Sequence, residues 1–100
     1  MMAMFMKVHK NDQKIVAVCD EDLIGKVLES KEIFLDLDKY RGFYVGEKAE
    51  ASEVKEELEE FDSANLVGRR SVAIAIEMGL AGRKDVMYIK TTPYIQIYRL

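Results

Sequence analysis

The chain has 100 residues, of which 49% are hydrophobic and 33% are charged, and its formal net charge is -3. This length suffices for one hydrophobic core and excludes two, so we expect residues 1–100 to form a single domain. One cysteine excludes an internal disulfide bond, and no segment reaches the roughly 20 consecutive apolar residues that a membrane-spanning helix needs. The apolar opening MMAMFM has no basic segment before it, so we expect no signal peptide and a cytoplasmic location.

The first third of the chain predicts a β-hairpin followed by a short helix. MFMKVHK and QKIVAVC are separated by Asn11 and Asp12, which is typical of two strands joined by a turn. We expect residues 1–3 to form a loose extension before this hairpin. DEDLIGKVLESKEI has apolar residues at helical spacing and predicts a helix despite Gly25, with the acidic residues 20–22 capping its start.

The middle of the chain predicts two further strands. IFLDLD alternates in polarity and predicts a strand that displays Asp36 and Asp38 on one face. RGFYVGEKA predicts another strand, and its RGF run matches the opening of the RNA-recognition-motif signature but not the positions that follow. Phe43 or Tyr44 would therefore either stack on a nucleobase or pack in the core.

The second half predicts two helices and three strands. SEVKEELEEFD predicts an amphipathic helix at 52–62 with Ser52 as N-cap and an acidic outer face. SANLVG predicts a short strand, and RRSVAIAIEM predicts a helix that ends before Gly79. DVMYIK and YIQIYRL predict two closing strands, with Pro93 at a turn or a sheet edge. This order favours an α+β fold, a mixed and mostly antiparallel sheet with about three helices packed against it.

Charge is distributed unevenly along the chain. Residues 1–62 contain nine Lys and Arg against 16 Asp and Glu, whereas residues 63–100 contain six against two. The overall pI of about 5.2 argues against a dedicated binder of duplex nucleic acid, since such proteins are usually basic across one face. We therefore expect any contact with an anionic partner to involve the carboxy-terminal third.

Arg69 and Arg70 stand at the start of a predicted helix, where positive charge is unfavourable. An external phosphate bound by the free N–H groups there would pair with both side chains, and Gly68 would let it approach the backbone. Alternatively, the glutamates of the preceding helix neutralise the arginines, or both side chains extend into water. Seven other residues could widen the basic patch with cations and aromatic rings: Arg83, Lys84, Tyr88, Lys90, Tyr94, Tyr98 and Arg99.

The chain offers little for catalysis. One histidine and one cysteine cannot form the usual zinc or iron site, and no glycine-rich phosphate loop or catalytic triad can be assembled. We expect no cofactor and expect Cys19 to be a core residue. Asp36 and Asp38 could hold Mg²⁺ against a substrate phosphate, or they could prevent an edge strand from pairing with other chains. A Mg-dependent phosphate-processing enzyme is therefore our third hypothesis.

Five segments together resemble a known family: KVHK, FYVGE, ANLVG, AIEMGL and PYIQIYRL. The chain resembles the archaeal domain-of-unknown-function family 424, whose members are described as predicted RNA-binding proteins encoded beside translation-initiation genes. The family has no assigned reaction, so the resemblance implies a role with RNA or in translation. By motif position, it also implies that Gly46, Glu47, Asn65, Pro93 and Gln96 form part of a functional site.

Two non-enzymatic hypotheses follow. The first is an RNA-binding accessory factor linked to translation, which contacts ribosomal or transfer RNA through Gly68, Arg69, Arg70, Lys90 and Arg99. The second is a protein-protein adaptor of the translation apparatus, which offers the acidic helix 52–62 to a translation-initiation factor or a ribosomal protein. The sequence leaves the oligomeric state open.

Overall fold

The structure is a computed structural model that describes residues 3–31 and 33–99. Its strands and helices in chain order are β1 Met4–Lys10, β2 Lys14–Asp20, β3 Val27–Glu29, β4 Phe34–Asp36, α1 Arg41–Tyr44, β5 Glu47–Ala49, α2 Ala51–Glu57, β6 Ser63–Val67, α3 Arg69–Glu77, β7 Met87–Ile89 and β8 Thr92–Tyr98. Two short 3-10 turns lie at Glu21–Leu23 and Arg83–Asp85. Within the described residues, no helix is long and apolar enough to cross a membrane.

Six strands form one mixed sheet in the order β5-β1-β2-β6-β8-β7. The neighbouring pairs are antiparallel except β2 and β6, which are parallel. Parallel neighbours need a long connection, and here it runs through residues 21–62 and contains the separate β3–β4 hairpin. The predicted α+β fold, with a mostly antiparallel sheet and three helices, is confirmed.

The two faces of the sheet are covered by different parts of the chain. Helices α2 and α3 pack on the first face, where the main core contains Val16, Val18, Leu58, Leu66 and Ala75 among others. The β3–β4 hairpin and α1 cover the second face over β1 and β2, around a smaller core of Ala17, Cys19, Leu37, Tyr44 and Val67. Beyond that cover, side chains of β6, β7 and β8 on the second face border a groove.

The predicted helix in residues 20–33 is wrong, because this segment forms a 3-10 turn and then strand β3. Gly25 adopts a φ of +92°, which ends the helical path after the turn. Its N–H then donates to the carbonyl of Leu37, and the N–H of Leu37 donates to the carbonyl of Lys26. These bonds to a distant segment replace the local bonds that a helix would need.

The strand predicted in RGFYVGEKA is also wrong over its first half. Residues 41–44 form α1, and only Glu47–Ala49 pair with β1. Gly46 separates the two elements where a Cβ would lie 2.5 Å from the carbonyl oxygen of Met6, so only glycine fits there. The acidic helix predicted at 52–62 begins one residue earlier and ends at Glu57.

Other local predictions are confirmed, namely the first hairpin, the strand Ser63–Val67, the helix before Gly79 and the two closing strands. Pro93 lies within β8 between two neighbouring strands, rather than at a turn or an edge. Of the expected loose extension, residues 1 and 2 lie outside the described residues. Ala3 is held in place, since its N–H donates to Oε2 of Glu21 at 3.2 Å and its carbonyl accepts the N–H of Glu21 at 3.0 Å.

Candidate functional site

The start of α3 is occupied by a carboxylate of the chain itself. Asp20 is 5% exposed and accepts hydrogen bonds from the backbone N–H of Arg70 at 3.0 Å and from the N–H and hydroxyl of Ser71 at 2.9 and 2.7 Å. The N–H of Gly68 donates to the carbonyl of Pro93 at 2.8 Å. These amides, which we expected an external phosphate to contact, therefore already have partners. Asp20 was expected to cap the helix after β2, and it caps α3 instead.

Arg69 and Arg70 are exposed, whereas the adjacent residues Gly68 and Ser71 are buried. Among the residues that the structure describes, neither guanidinium lies within 4.0 Å of a carboxylate. Within the same residues, none of the glutamates of the acidic segment pairs with either arginine, and Glu57 pairs with Lys14 at 3.0 Å. Of the two alternatives to phosphate binding, the structure shows extension of both arginines into solvent.

A cavity of about 310 Å³ opens beside the start of α3. It lies at the ends of β2 and β6 and is lined by Asp20, Asp22, Leu23, Gly68, Arg69, Arg70, Thr91, Thr92 and Pro93. Two carboxylates and two guanidinium groups thus border the same space. A polyanion entering here would meet repulsion from Asp22 as well as attraction from the arginines, so this cavity by itself is a poor phosphate site.

A second opening, which we call the basic groove, runs between α3 and the segment that leads into β7. It has a volume of about 400 Å³ and is lined by Arg69, Val72, Ala73, Ile76, Arg83, Val86, Tyr88, Thr91 and Pro93. Its floor is apolar, an arginine borders it on each side, and none of these lining residues is acidic. Nearby acidic groups are engaged elsewhere, because Glu77 pairs with Lys55 at 2.8 Å and Asp85 accepts the N–H of Gly82 at 2.9 Å.

The remaining predicted cations fall into two groups. Lys90 lies in the exposed turn between β7 and β8, directly before Thr91 of the basic groove. Arg99 lies beyond the other end of β8, roughly 23 Å from Thr92 at about 3.3 Å per residue along the strand, and its guanidinium stacks over the ring of Phe61 at 4.2 Å. The patch therefore contains Lys90 but does not extend to Arg99.

Asn65 and Gln96 come together on the second face of the sheet. They are directly opposite each other in the β6–β8 ladder, although 31 positions separate them in the sequence. They border an opening of about 230 Å³, which we call the amide groove, together with Ile33, Phe34, Leu35, Tyr44, Val67, Met87, Ile89, Tyr94 and Ile95. Within residues 3–31 and 33–99, neither side-chain amide makes a hydrogen bond to protein.

The three other residues implied by the family motifs lie elsewhere. Gly46 and Glu47 are at β5, the edge strand opposite β7, so four strands separate them from the basic groove. Pro93 borders the basic groove, and its carbonyl holds the turn before α3 through Gly68. Binding of RNA by any of these residues stays a prediction. The structure places Asn65 and Gln96 in the amide groove and Pro93 in the basic groove, whereas Gly46 and Glu47 line neither.

The residues considered for catalysis have structural partners. Oδ1 of Asp36 accepts the N–H groups of Asp38 and Lys39 at 3.0 and 2.8 Å, and Asp38 pairs with Arg41 at 3.0 Å. Strand β4 ends at Asp36, so the two carboxylates do not share a strand face as predicted. No group of three potential metal ligands occurs within the described residues.

Cys19 and the middle aromatic residues belong to the core. Burial, with the nearby carboxylates of Asp20 and Asp22 as smaller causes, raises the pKa of the Cys19 thiol from 9.0 to about 12. Phe43 stacks on the ring of His9 with centroids 4.6 Å apart, and Tyr44 is buried. Phe43 therefore packs against the smaller core, whereas Tyr44, although buried, borders the amide groove.

Residues 8–100 match the family described as "Protein of unknown function (DUF424)". A crystal structure described as that of an uncharacterized conserved protein from Methanopyrus kandleri is 26% identical in sequence and has a TM-score of 0.80. The similarity covers 98% of this chain and 92% of that chain, so the two share the fold. No curated protein matches the chain. None of these descriptions names a reaction or a ligand.

Proposed function

The chain belongs to the family of unknown function DUF424, and we propose that it is an RNA-binding accessory factor of translation that holds single-stranded RNA in the basic groove. The observation that carries this proposal is the groove itself, in which an apolar floor lies between two arginines and none of the described lining residues is acidic. Single-stranded RNA needs both parts, since its bases are apolar on their faces and its backbone is anionic.

The groove offers a specific place for each chemical part of a nucleotide. Tyr88 is 59% exposed and borders the groove, so its ring can stack on a base. Arg69 and Arg83 lie on the two sides, where each can form charge-assisted hydrogen bonds with a backbone phosphate. Lys90 extends the line of cations past Thr91. We do not include Arg99, because it lies at the far end of β8.

The small number of cations limits the affinity. Three phosphate contacts in single-stranded RNA predict a slope of about -2 in a plot of log K against log salt concentration. The net charge of -3 adds general repulsion. We therefore expect weak binding in isolation, strengthened where a second contact, such as a ribosomal surface, raises the local concentration.

The test is fluorescence anisotropy with a labelled RNA oligonucleotide of mixed sequence. Arg69→Glu combined with Arg83→Glu should raise the Kd at least tenfold and make the salt slope shallower, because two phosphate contacts become repulsive. The matched control is Lys10→Glu combined with Lys39→Glu, which changes the net charge equally at two exposed residues outside the groove. Tyr88→Ala should raise the Kd about fivefold or more without changing the slope.

Circular dichroism and thermal melting must first show that all variants are folded. If both charge-reversal pairs weaken RNA binding equally, the affinity depends only on the net charge of the protein. The groove would then be excluded as the RNA-binding site. The link to translation is tested separately by sedimentation of the tagged protein with ribosomal subunits from native cells. Absence from every ribosomal fraction would overturn that part of the proposal.

The adaptor hypothesis remains the competing explanation. Glu53 and Glu57 are engaged within the protein, since Glu53 accepts the N–H of Glu50 and Glu57 pairs with Lys14. The free acidic surface is thus smaller than the sequence suggested and centres on Glu56, Glu59 and Glu60. No structural observation favours it over the basic groove.

A further inference from the structure

The amide groove is the second concave surface that combines polar and apolar groups. Asn65 and Gln96 are the carboxamide residues that line it, and Phe34, Met87 and Tyr94 are among the residues that supply its apolar walls. The walls are accessible, since Phe34 is 63% exposed and Met87 is 44% exposed. The basic groove lies mainly on the first face of the sheet, so the two openings are separate sites.

Two unpaired carboxamides restrict what can occupy this groove. A purely apolar surface, such as a second copy contacting it through Phe34 and Met87, would remove Asn65 and Gln96 from water without giving them partners. Each amide buried in this way would lose its hydrogen bonds to water without replacement, which opposes binding. The occupant must therefore present hydrogen-bond donors and acceptors along one edge and an apolar surface on its faces.

A nucleobase has this combination of properties. Its two faces are apolar and polarisable, and its edge carries donors and acceptors in one plane. The volume of about 230 Å³ is smaller than the roughly 300–1,000 Å³ typical of pockets for drug-sized ligands, so one ring system would fill it. We infer that the amide groove binds an adenine ring whose edge is recognised by the side-chain amides of Asn65 and Gln96.

The hydrogen-bonding pattern favours adenine over the other bases. Two adjacent carboxamides can place their carbonyl oxygens together in the middle and their NH₂ groups outside. Adenine presents the complementary order, because its N6 amino group supplies two donors between the acceptors N1 and N7. Cytosine has an acceptor on only one side of its amino group, and guanine presents two neighbouring acceptors. Adenine can thus engage both amides fully.

This inference rests on the proposed function in one respect, namely that the adenine belongs to an RNA strand. The basic groove would supply affinity without base preference, and the amide groove would supply the preference. The same ring also occurs in free adenine nucleotides. The experiment must therefore distinguish an RNA adenine from a free nucleotide.

The test compares labelled oligo(A), oligo(C) and oligo(U) of equal length at one salt concentration. Wild type should bind oligo(A) about tenfold more tightly than oligo(C), as a bidentate amide-to-base contact discriminates by this order. Asn65→Leu combined with Gln96→Met keeps the side-chain volumes and removes the amides. This variant should reduce the preference to less than twofold while its affinity for oligo(C) stays unchanged.

Each of four outcomes would overturn the inference or its assignment to RNA. Wild type could bind the three oligonucleotides equally, or the double variant could retain the preference. AMP could compete with oligo(A) at equal concentration, which would assign the groove to a free nucleotide. Wild type could also sediment as a dimer that Phe34→Glu dissociates without reducing the adenine preference, which would place the groove between two copies.

The two proposals fail in different ways. If Arg69→Glu with Arg83→Glu leaves the affinity for RNA unchanged but the amide variant removes the adenine preference, the basic groove is wrong and the amide groove stands. If the reverse pattern is found, the protein binds RNA without reading adenine. Thermal melting of Asn65→Leu and Gln96→Met, separately and combined, must show that the variants are folded. A changed preference for oligo(A) can then be attributed to the loss of the amides in the groove.

Discussion

Asp20 and Gly68 lie so close together that a Cβ on residue 68 would be 2.3 Å from the Cγ of Asp20. The two residues are at the adjacent ends of β2 and β6, the parallel pair of the sheet. Gly68 has a φ of +108°, which side chains rarely permit, and its own N–H donates to Pro93. Glycine at this position therefore lets a carboxylate of the same chain reach the start of α3.

Gly68→Ala should lower the free energy of unfolding by about 3 kcal/mol, because the new Cβ adds backbone strain and displaces the Asp20 carboxylate. Urea denaturation measures this change. Gly42→Ala is the matched control, since nothing lies within 4 Å of a Cβ there and alanine suits a helix. Similar stabilities for the two variants would contradict the assigned contact.

Asp20→Ala should lower the free energy of unfolding by about 3 kcal/mol, because the buried donors of Arg70 and Ser71 lose a charged acceptor. Ser71→Ala removes one donor and should cost about 1 kcal/mol. Amide hydrogen exchange at residues 70 and 71 should become faster in Asp20→Ala. Asp22→Ala, at an exposed neighbour, should change neither quantity, and an equal effect there would argue against a capping role.

Stability should fall as the pH rises above about 9. Burial raises the pKa of Cys19 from 9.0 to about 12 and that of Tyr44 from 10.0 to about 12. Between these values, the unfolded chain loses protons that the folded chain retains, so high pH favours unfolding. Urea denaturation at pH 8 and at pH 10.5 should show this loss of stability, and the loss should be smaller in Cys19→Ala.

At pH 8 a thiol reagent should label Cys19 only after unfolding.

Glu56→Lys, Glu59→Lys and Glu60→Lys combined should leave the unfolding free energy within about 0.5 kcal/mol, since these side chains are exposed. The Kd for RNA should stay the same or fall, because added positive charge attracts phosphate. Loss of co-sedimentation with ribosomal subunits, together with unchanged RNA binding, would instead support the adaptor hypothesis. Glu57→Lys is a useful comparison, because it also breaks the pair with Lys14.

Features that depend on neighbouring residues could be predicted from the sequence. The first hairpin, the helix that precedes Gly79 and the basic carboxy-terminal third were all predicted, because periodicity, turn residues and charge act over a few positions. The α+β class followed from their order. The segment 21–49 was predicted poorly, since its path depends on backbone bonds between Gly25, Lys26 and Leu37.

Contacts between residues that are distant in the sequence depend on the complete fold. The register of β2 against β6 places Asp20 at the start of α3, 50 positions along the chain from Arg70. The register of β6 against β8 places Asn65 opposite Gln96 and turns Arg99 away from the cations near Arg69. Strand register is set by packing of the whole core, and a shift by one residue would move every side chain to the other face. For that reason the sequence indicated candidate residues of both grooves, but only the fold showed which of them lie together.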